Sequence, residues 1–240
     1  MDILEANGSV NFGSNKAYRA MLKKIKAGSP ATNPDDLQYI LDNVDVDNLF
    51  EYMALEMFVG NSDIGNIRYY RLHQEGSKWK WIWYDADYGL YSSKFNSPWS
   101  YLKVKGMGEQ KIDNTIFLKL LEHPDYKRKF LEKLADVYKT FTTEYMTQVL
   151  DGVVAEIQPE MKNHWERWGE LNDKAVTNEV PTTIDGAYTY WESRVNRLYN
   201  TLKVRPHRLW DFIKDEFKLT KTEMEELFGP QPDYPDDAVL

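Results

Sequence analysis

Hydrophobic residues recur at spacings of three and four over most of the chain, which predicts a mainly helical protein. The clearest repeat lies in residues 46–59 and consists of Leu49, Phe50, Met53, Ala54, Met57 and Phe58. It predicts a core helix that ends at Gly60, since glycine often follows the last helical turn. Methionine and phenylalanine at this spacing are typical of packing rather than of a cofactor site.

The same periodicity predicts further helices at residues 14–27, 35–43, 116–121, 126–141, 142–161, 185–204 and 209–217. Pro206 is expected to separate the last two, because proline lacks an N–H and crowds the preceding turn. The residues of the 142–161 helix that are expected to point inward are Met146, Val149, Leu150, Val153 and Ile157. Residues 90–113 and 171–183 have no steady period and predict loops. Residues 229–240 predict a disordered tail.

A β-hairpin is predicted between residues 67 and 84. Residues 67–72 and 79–84 are rich in aromatic and β-branched side chains, and Gly76 lies in the polar turn between them. Lysines alternate with Trp79 and Trp81, so one strand face is apolar and the other is solvated. The first thirteen residues are expected to be extended. The predicted fold class is therefore α+β, mainly α, with a small β-hairpin.

Polar loops flank this hairpin at the same end. Asp63 and Asn66 precede the first strand, and Asp85 and Asp87 follow the second. Carboxylate and amide oxygens are the ligands that suit Mg²⁺. Protein kinases use the same order of parts, which is an aspartate and an asparagine, then a hairpin, then an aspartate at the end of a strand. The alternative is that the Asp-Ala-Asp segment only ends the strand and caps the next turn.

Composition and charge exclude several other classes of protein. The net charge of −8 argues against a broad nucleic-acid surface and favours basic protein partners. Cysteine is absent, which excludes disulfides, thiol nucleophiles and cysteine-bound zinc. No apolar run is long enough to cross a bilayer, and the first residues do not resemble a signal peptide. The motifs of serine hydrolases, P-loop proteins and zincins are also absent.

Several blocks together resemble the CotH (spore coat protein H) kinases, a family with an atypical protein-kinase-like fold. The blocks are E-Y-M-A-L-E-M-F-V-G-N-S-D (residues 51–63), G-N-I-R-Y-Y-R (65–71), K-W-K-W-I-W-Y-D-A-D-Y-G (78–89) and I-Q-P-E-M-K-N-H-W-E-R-W-G (157–169). A weaker likeness continues through residues 205–213. The resemblance therefore covers most of the chain.

The resemblance implies a role for each candidate residue. Asp63 corresponds to the catalytic aspartate, Asn66 and Asp85 correspond to metal ligands, and Asp87 is a further candidate metal ligand. Trp79 corresponds to the tryptophan that the family places against adenine. The implied activity is ATP- and Mg²⁺-dependent phosphorylation of Ser or Thr hydroxyls on a protein partner. The implied location is the bacterial spore coat or the extracellular space.

The chain also departs from the kinase pattern. The spacing from Asp63 to Asn66 is shorter than in the family, and residues 1–60 show no Gly-rich strand–turn–strand and no strand lysine. Residues 1–228 therefore resemble a C-terminal lobe without its N-terminal lobe, and whether this chain is active alone stays open. Residues 90–113 lie where a kinase has its activation and substrate-recognition segment, although a surface insertion is the alternative.

A non-catalytic function is the second hypothesis. The chain contains eight tryptophans and sixteen tyrosines, which would suit an aromatic surface for carbohydrate or coat proteins. In that case the chain would be a binding or scaffold module. Nucleotide binding that depends on magnesium distinguishes the two hypotheses.

Overall fold

The computed structural model describes residues 1–104, 112–168 and 183–236. The strands are β1 (Asp2–Glu5), β2 (Ser9–Phe12), β3 (Arg68–Arg71) and β4 (Lys80–Ile82). The helices in these ranges are α1 (Lys16–Ala27), α2 (Pro34–Asn43), α3 (Val46–Val59), α4 (Ser97–Lys103), α5 (Thr115–Leu121), α6 (Pro124–Thr140), α7 (Thr143–Ile157), α8 (Met161–Trp168), α9 (Ile184–Phe217) and α10 (Lys221–Phe228). The mainly helical α+β class is confirmed. Most of the predicted loop at 171–183 lies outside the described residues.

The predicted hairpin forms one half of an antiparallel sheet with the order β2-β1-β3-β4. Leu4 pairs with Tyr69, and Tyr69 pairs with Trp81. All three side chains are buried. This row of opposed side chains joins three strands and gives the sheet its apolar face.

The first twelve residues form a strand–turn–strand that we did not predict. Asn7 and Gly8 in the turn between β1 and β2 have φ values of 59° and 75°. The Gly8 N–H donates to the Tyr69 hydroxyl at 2.7 Å, which fixes this turn on the sheet. The expectation that these residues are extended is confirmed, but their pairing with each other and with β3 was not predicted. β2 alternates Val10 and Phe12 with polar residues, but it has only four residues and is exposed along its length, so the signal is weak.

Helix α3 lies at the centre of the core, as its continuous apolar pattern predicts. Asp45 caps its first turn, because its side chain accepts from the Asn48 N–H at 3.1 Å. Phe50 packs against Phe117 of α5 and Phe130 of α6 at ring distances of 6.2 and 5.4 Å. The helix ends at Gly60 in the left-handed conformation. The loop that carries Asp63 therefore starts from a rigid base.

The segment predicted as a loop at residues 90–113 contains helix α4. Asn96 caps it by accepting from the Trp99 N–H at 3.0 Å, and Pro98 lies in its first turn. This Asn-Ser-Pro start is a local signal for a helix that hydrophobic periodicity misses, since α4 has only 7 residues. Residues 105–111 of the predicted loop lie outside the described residues.

Helix α9 continues through Pro206, so the predicted break at this residue is wrong. Proline cannot donate to the carbonyl four residues earlier, which belongs to Leu202. The Thr143 hydroxyl donates to that oxygen instead, at 3.2 Å. The Tyr138 hydroxyl also donates to the Pro206 carbonyl at 3.0 Å. The Thr143 hydroxyl thus replaces the hydrogen bond that proline removes, and Tyr138 joins the same turn of α9 to α6.

The residues expected to point inward from α7 do not form a buried face. Val149, Val153 and Ile157 are exposed, and no residue of α7 is buried. Helix α7 contacts α9 through half-buried side chains. The apolar periodicity therefore predicted the helix correctly but overestimated how far its apolar side chains are buried.

Of the tail predicted at residues 229–240, the structure describes residues 229–236. This segment contacts α9. The Trp210 indole donates to the Gly229 carbonyl at 3.1 Å, and the His207 ring contacts the Pro232 carbonyl at 2.7 Å. None of the helices in the described ranges is long and apolar enough to cross a membrane.

Candidate functional site

The loop that follows α3 is shaped by short-range hydrogen bonds. The N–H groups of Gly60 and Asn61 both donate to the Glu56 carbonyl, at 3.0 and 3.2 Å. The Asn61 side chain then accepts from the Asp63 N–H at 3.1 Å. The Asn66 N–H closes a turn by donating to the Asp63 carbonyl at 3.1 Å. The short spacing between Asp63 and Asn66 is thus the length of one turn.

The loop that follows β4 folds back towards the end of α3. Asp85 has a φ of 53°, a left-handed conformation that aspartate tolerates better than most residues. The Gly89 N–H donates to the Ala86 carbonyl at 2.8 Å, and the Leu90 N–H donates to the Val59 carbonyl at 2.6 Å. This second bond attaches the segment after Asp87 to α3.

The two loops meet through the side chains of Asn66 and Asp85. The Asn66 amide N–H donates to a carboxylate oxygen of Asp85 at 2.5 Å. The Tyr84 hydroxyl donates to the Asn66 amide oxygen at 2.5 Å. The structure therefore brings together two of the residues that the sequence analysis proposed as metal ligands. Asp85 is exposed and Asn66 is half-buried, so solvent reaches the contact.

Asp63 lies close to the same contact. It is half-buried. Burial raises the pKa of the Tyr84 phenol, and the carboxylates of Asp85 and Asp63 are among the charges that raise it further. The Tyr84 hydroxyl therefore donates to Asn66 and also interacts electrostatically with the carboxylates of Asp63 and Asp85.

Two other predicted site residues lie apart from this cluster. Asp87 is exposed, and no hydrogen bond or ion pair within the described ranges joins it to Asn66 or Asp85. Trp79 has an exposed fraction of 0%. Its ring packs edge-on against Tyr18 and Tyr69 at 5.1 and 6.0 Å. Trp79 therefore presents no ring face to a nucleotide here, and its place is in the core beneath the sheet.

The donor chemistry fits a magnesium ion that is shared with phosphate. No group of three acidic or histidine side chains that could hold a metal occurs within the described part of the chain. Magnesium needs no such cage, because it keeps several waters and commonly takes one or two carboxylates plus substrate phosphates. The Asp85 carboxylate, with one oxygen outside the Asn66 hydrogen bond, can supply one such ligand. The Asn66 amide oxygen can supply another if it exchanges its bond with Tyr84.

Glu56 is a site-proximal residue that the sequence analysis missed. Its side chain is 1% exposed, and it accepts from the Tyr101 hydroxyl of α4 at 2.8 Å. Burial raises the pKa of Glu56, although nearby donors on Tyr101, Asn61, Tyr52 and Trp83 oppose this. Asn61 and Trp83 belong to the two site loops. The Glu56 carboxyl therefore lies where α3, α4 and both loops converge.

Arg205 is the second residue that was missed. It belongs to α9, is 1% exposed, and its side chain contacts the end of α3. Its acceptors are the Met57, Phe58 and Phe95 carbonyls and the Ser97 hydroxyl, at 2.8, 3.1, 2.6 and 2.7 Å. Burial lowers the pKa of Arg205 to about 9, which leaves it charged at neutral pH. The guanidinium therefore caps α3 and joins it to the segment before α4.

Both missed residues have a sequence signal. Glu56 follows Leu49 and Tyr52 at helical spacing, on a face of its helix that is otherwise apolar. Arg205 lies between Leu202 and Leu209 at spacings of three and four, on the buried side of its helix. A charged residue on a buried face needs a partner, so each position indicates a polar network.

Comparison with known proteins identifies the family. Residues 5–209 match the family model described as CotH kinase protein. A comparison with curated proteins matched none of them, and a comparison with solved structures also gave no match. The family match covers well over half of the 240 residues and includes both site loops, α3 and Arg205. The chain therefore belongs to the CotH kinase protein family.

Proposed function

We propose that the chain catalyses ATP- and Mg²⁺-dependent phosphorylation of Ser or Thr hydroxyls on a protein partner. The observation that carries this proposal is the direct contact between Asn66 and Asp85, which come from the loops before and after the hairpin. Membership of the CotH kinase family supports kinase-like chemistry. We further propose that residues 1–228 act as a kinase-like C-terminal lobe that contains the catalytic and metal loops.

Each polar side chain has a distinct task in this proposal. Asp63 accepts or orients the proton of the acceptor hydroxyl, whose oxygen forms the new bond to the γ-phosphorus. The bond from that phosphorus to the bridging oxygen breaks, and the electron pair leaves with ADP. Asn66 and Asp85 would hold Mg²⁺, which would supply positive charge to the phosphates. Asp87, two residues after Asp85 in the chain, is exposed and is the weaker candidate for a further ligand.

The hydrogen bonds around the site serve to hold these groups in place. Tyr84 orients the Asn66 amide, and Asn61 orients the backbone at Asp63. Glu56 and Arg205 fix the end of α3, from which the Asp63 loop starts. Preorganised ligands of this kind lower the cost of reorganisation during the transfer.

Two substitutions test the roles separately. Asp85→Asn should weaken magnesium-dependent binding of a non-hydrolysable ATP analogue at least about tenfold, because a charged ligand is lost. Asp63→Asn should leave that binding nearly unchanged and abolish phosphotransfer. Binding is measured by calorimetry with and without Mg²⁺, and transfer with radiolabelled ATP and a Ser/Thr-containing protein acceptor.

Asp215→Asn is the matched control, since Asp215 is an exposed carboxylate on α9. It should change neither readout. Magnesium-dependent binding that is equal in the wild type and the Asp85→Asn variant would remove Asp85 from the proposal.

A carbohydrate- or protein-binding module is the second candidate function, and one observation favours it. Trp83, Tyr88 and Tyr91 are exposed, with fractions of 45%, 43% and 52%. The rings of Tyr88 and Tyr91 lie 6.4 Å apart, so they form a small aromatic surface. Glycan binding that is lost in Tyr88→Ala, together with an absence of nucleotide binding, would support this candidate instead.

A further inference from the structure

A groove lies between the segment that follows the Asp85 loop and helix α9. Its volume is about 500 Å³. Residues 91–94 line one side, the α9 face from Ser193 to Val204 lines the other, and Tyr234 also belongs to the lining. The lining is rich in hydroxyl and amide groups, which belong to Ser92, Ser93, Ser193, Asn196, Asn200 and Thr201.

The charged residues that line the groove are both cations. They are Lys94 and Arg197. No carboxylate in the described part of the chain forms an ion pair with either side chain. The Arg197 guanidinium lies over the Tyr91 ring, 4.5 Å from its centroid, which holds it in position while its N–H groups stay available. A basic groove on a protein of net charge −8 is a local reversal of sign that selects anionic ligands.

The walls of this groove are anchored, so its shape does not depend on a ligand. Val204 is buried in its floor, and the next residue is Arg205. Arg205 donates to the Phe95 carbonyl at 2.6 Å, which ties the 91–94 wall to α9. The Arg208 guanidinium donates to the Tyr234 hydroxyl at 3.4 Å, which holds this lining residue against α9. A preformed site loses less entropy on binding than a flexible one.

The groove is adjacent to the candidate site. Tyr91 of the groove wall contacts Tyr88, which follows Asp87 directly in the chain. The Leu90 N–H is bonded to the Val59 carbonyl at the end of α3. An extended peptide in the groove would therefore run beside the loop that carries Asp85.

We infer that this groove binds an anionic segment of the protein substrate, with Lys94 and Arg197 contacting carboxylate or phosphate groups near the acceptor residue. The identification of the ligand as the substrate rests on the proposed function. The inference differs from the basic partners that the net charge alone would favour. Arginine pairs with both carboxylates and phosphates in a bidentate manner, and lysine adds a second positive charge.

Fluorescence anisotropy with labelled peptides tests this inference without nucleotide. Three peptides of equal length carry one central serine within glutamates, within phosphoserines or within lysines. The two anionic peptides should bind, with an affinity that falls as salt is raised, and the lysine peptide should not. Tighter binding of the phosphoserine peptide would assign the groove to phosphate, and tighter binding of the glutamate peptide would assign it to carboxylate.

A double substitution, Lys94→Ala with Arg197→Ala, should lower the affinity for the preferred peptide at least about tenfold. Arg197→Lys should lose only part of it, because the charge remains. The matched control is Arg128→Ala with Lys139→Ala, which removes the same charge from exposed positions on α6. Equal binding by the groove variant and the control, or binding of the lysine peptide as strong as that of the anionic peptides, would overturn the inference.

The outcome is separable from that of the proposed function. Binding of anionic peptide that depends on Lys94 and Arg197, in a protein that transfers no phosphate, would support the groove and contradict the phosphotransferase proposal. Phosphotransfer to the glutamate peptide that is unchanged by the double substitution would support the phosphotransferase and contradict the groove.

Discussion

Glu56 and Arg205 are both buried at the C-terminal end of α3, but only Arg205 has surroundings that keep it charged at neutral pH. Glu56 shares its pocket with hydroxyl, amide and indole donors, and burial nevertheless raises its pKa. Arg205 is surrounded by carbonyl oxygens and a serine hydroxyl. The carboxyl can lose its charge by binding a proton, whereas the guanidinium stays ionised at neutral pH.

The difference indicates two kinds of support for the same loop. Arg205 is a constant anchor, because the dipole of α3 and its C-terminal carbonyls favour a cation there at any ordinary pH. Glu56 is a support whose strength depends on pH, because its uncharged form suits the buried pocket and its charged form does not. The Asp63 loop begins between these two supports.

The largest expected effect is the loss of the constant anchor. Arg205→Met should lower the free energy of unfolding by about 3–5 kcal/mol, since the carbonyls of Met57, Phe58 and Phe95 would lose a buried donor. Urea unfolding followed by circular dichroism measures this. Arg128→Met is the control, because Arg128 forms an exposed pair with Glu132, and it should cost no more than about 0.5 kcal/mol. Similar losses in both variants would contradict the anchor role.

The second expected effect concerns the carboxyl support. Glu56→Ala should destabilise the fold by about 2–4 kcal/mol, because it leaves a cavity and removes the acceptor of the Tyr101 hydroxyl. Glu56→Gln keeps the volume and an acceptor oxygen, so it should cost about 1 kcal/mol or less. The same urea titrations compare the two variants, and equal losses would show that the volume and acceptor oxygen retained by Gln contribute nothing.

The pH dependence of Glu56 sharpens the contrast with Arg205. The folded pKa of Glu56 is raised above its ordinary value of 4.5, so its stabilising contribution is complete below pH 4.5 and is lost as the pH rises through the raised value. The stability of the wild type relative to Glu56→Gln should therefore fall with increasing pH above 4.5. Urea titrations at several pH values measure it, and a constant difference would contradict the assignment.

A smaller effect is expected at the turn between the two supports. Gly60 has a φ of 66°, and a Cβ there would lie 2.8 Å from the Arg205 guanidinium. Gly60→Ala should cost about 2 kcal/mol or more. Gly76→Ala is the matched control, because Gly76 has a φ of 73° but no neighbouring atom within 4 Å. Its cost of about 1 kcal/mol measures conformational strain alone. Equal melting temperatures for both variants would exclude a steric contribution from Arg205.

The smallest expected effect concerns the helix that carries the anchor. Thr143→Val removes the hydroxyl that donates to the Leu202 carbonyl, which Pro206 leaves without a partner. It should cost about 1 kcal/mol. Thr189→Val, at an exposed position of α9, should cost less than about 0.5 kcal/mol. No difference between the two variants would mean that water satisfies the carbonyl equally well.

Local patterns determined most of the elements of this protein. The period of the hydrophobic residues and the glycine at its end were enough to predict α3 from Val46 to Val59. Alternation and a glycine turn predicted the β3–β4 hairpin. The order of polar residues around that hairpin predicted that Asn66 and Asp85 would meet, since both loops leave the strands at the same end. These signals depend on residues that are close together in the chain, so the sequence alone is enough to predict the elements.

The remaining features depend on residues that are distant in sequence. Trp79 is fully enclosed because Tyr18 of α1, which is distant in sequence, packs edge-on against its ring. Pro206 stays helical because Thr143 satisfies the carbonyl that it leaves free. Arg205 and Glu56 became site residues only when α9 and α4 packed against α3. Buried polar groups need partners, and only the tertiary structure decides which distant segment supplies them.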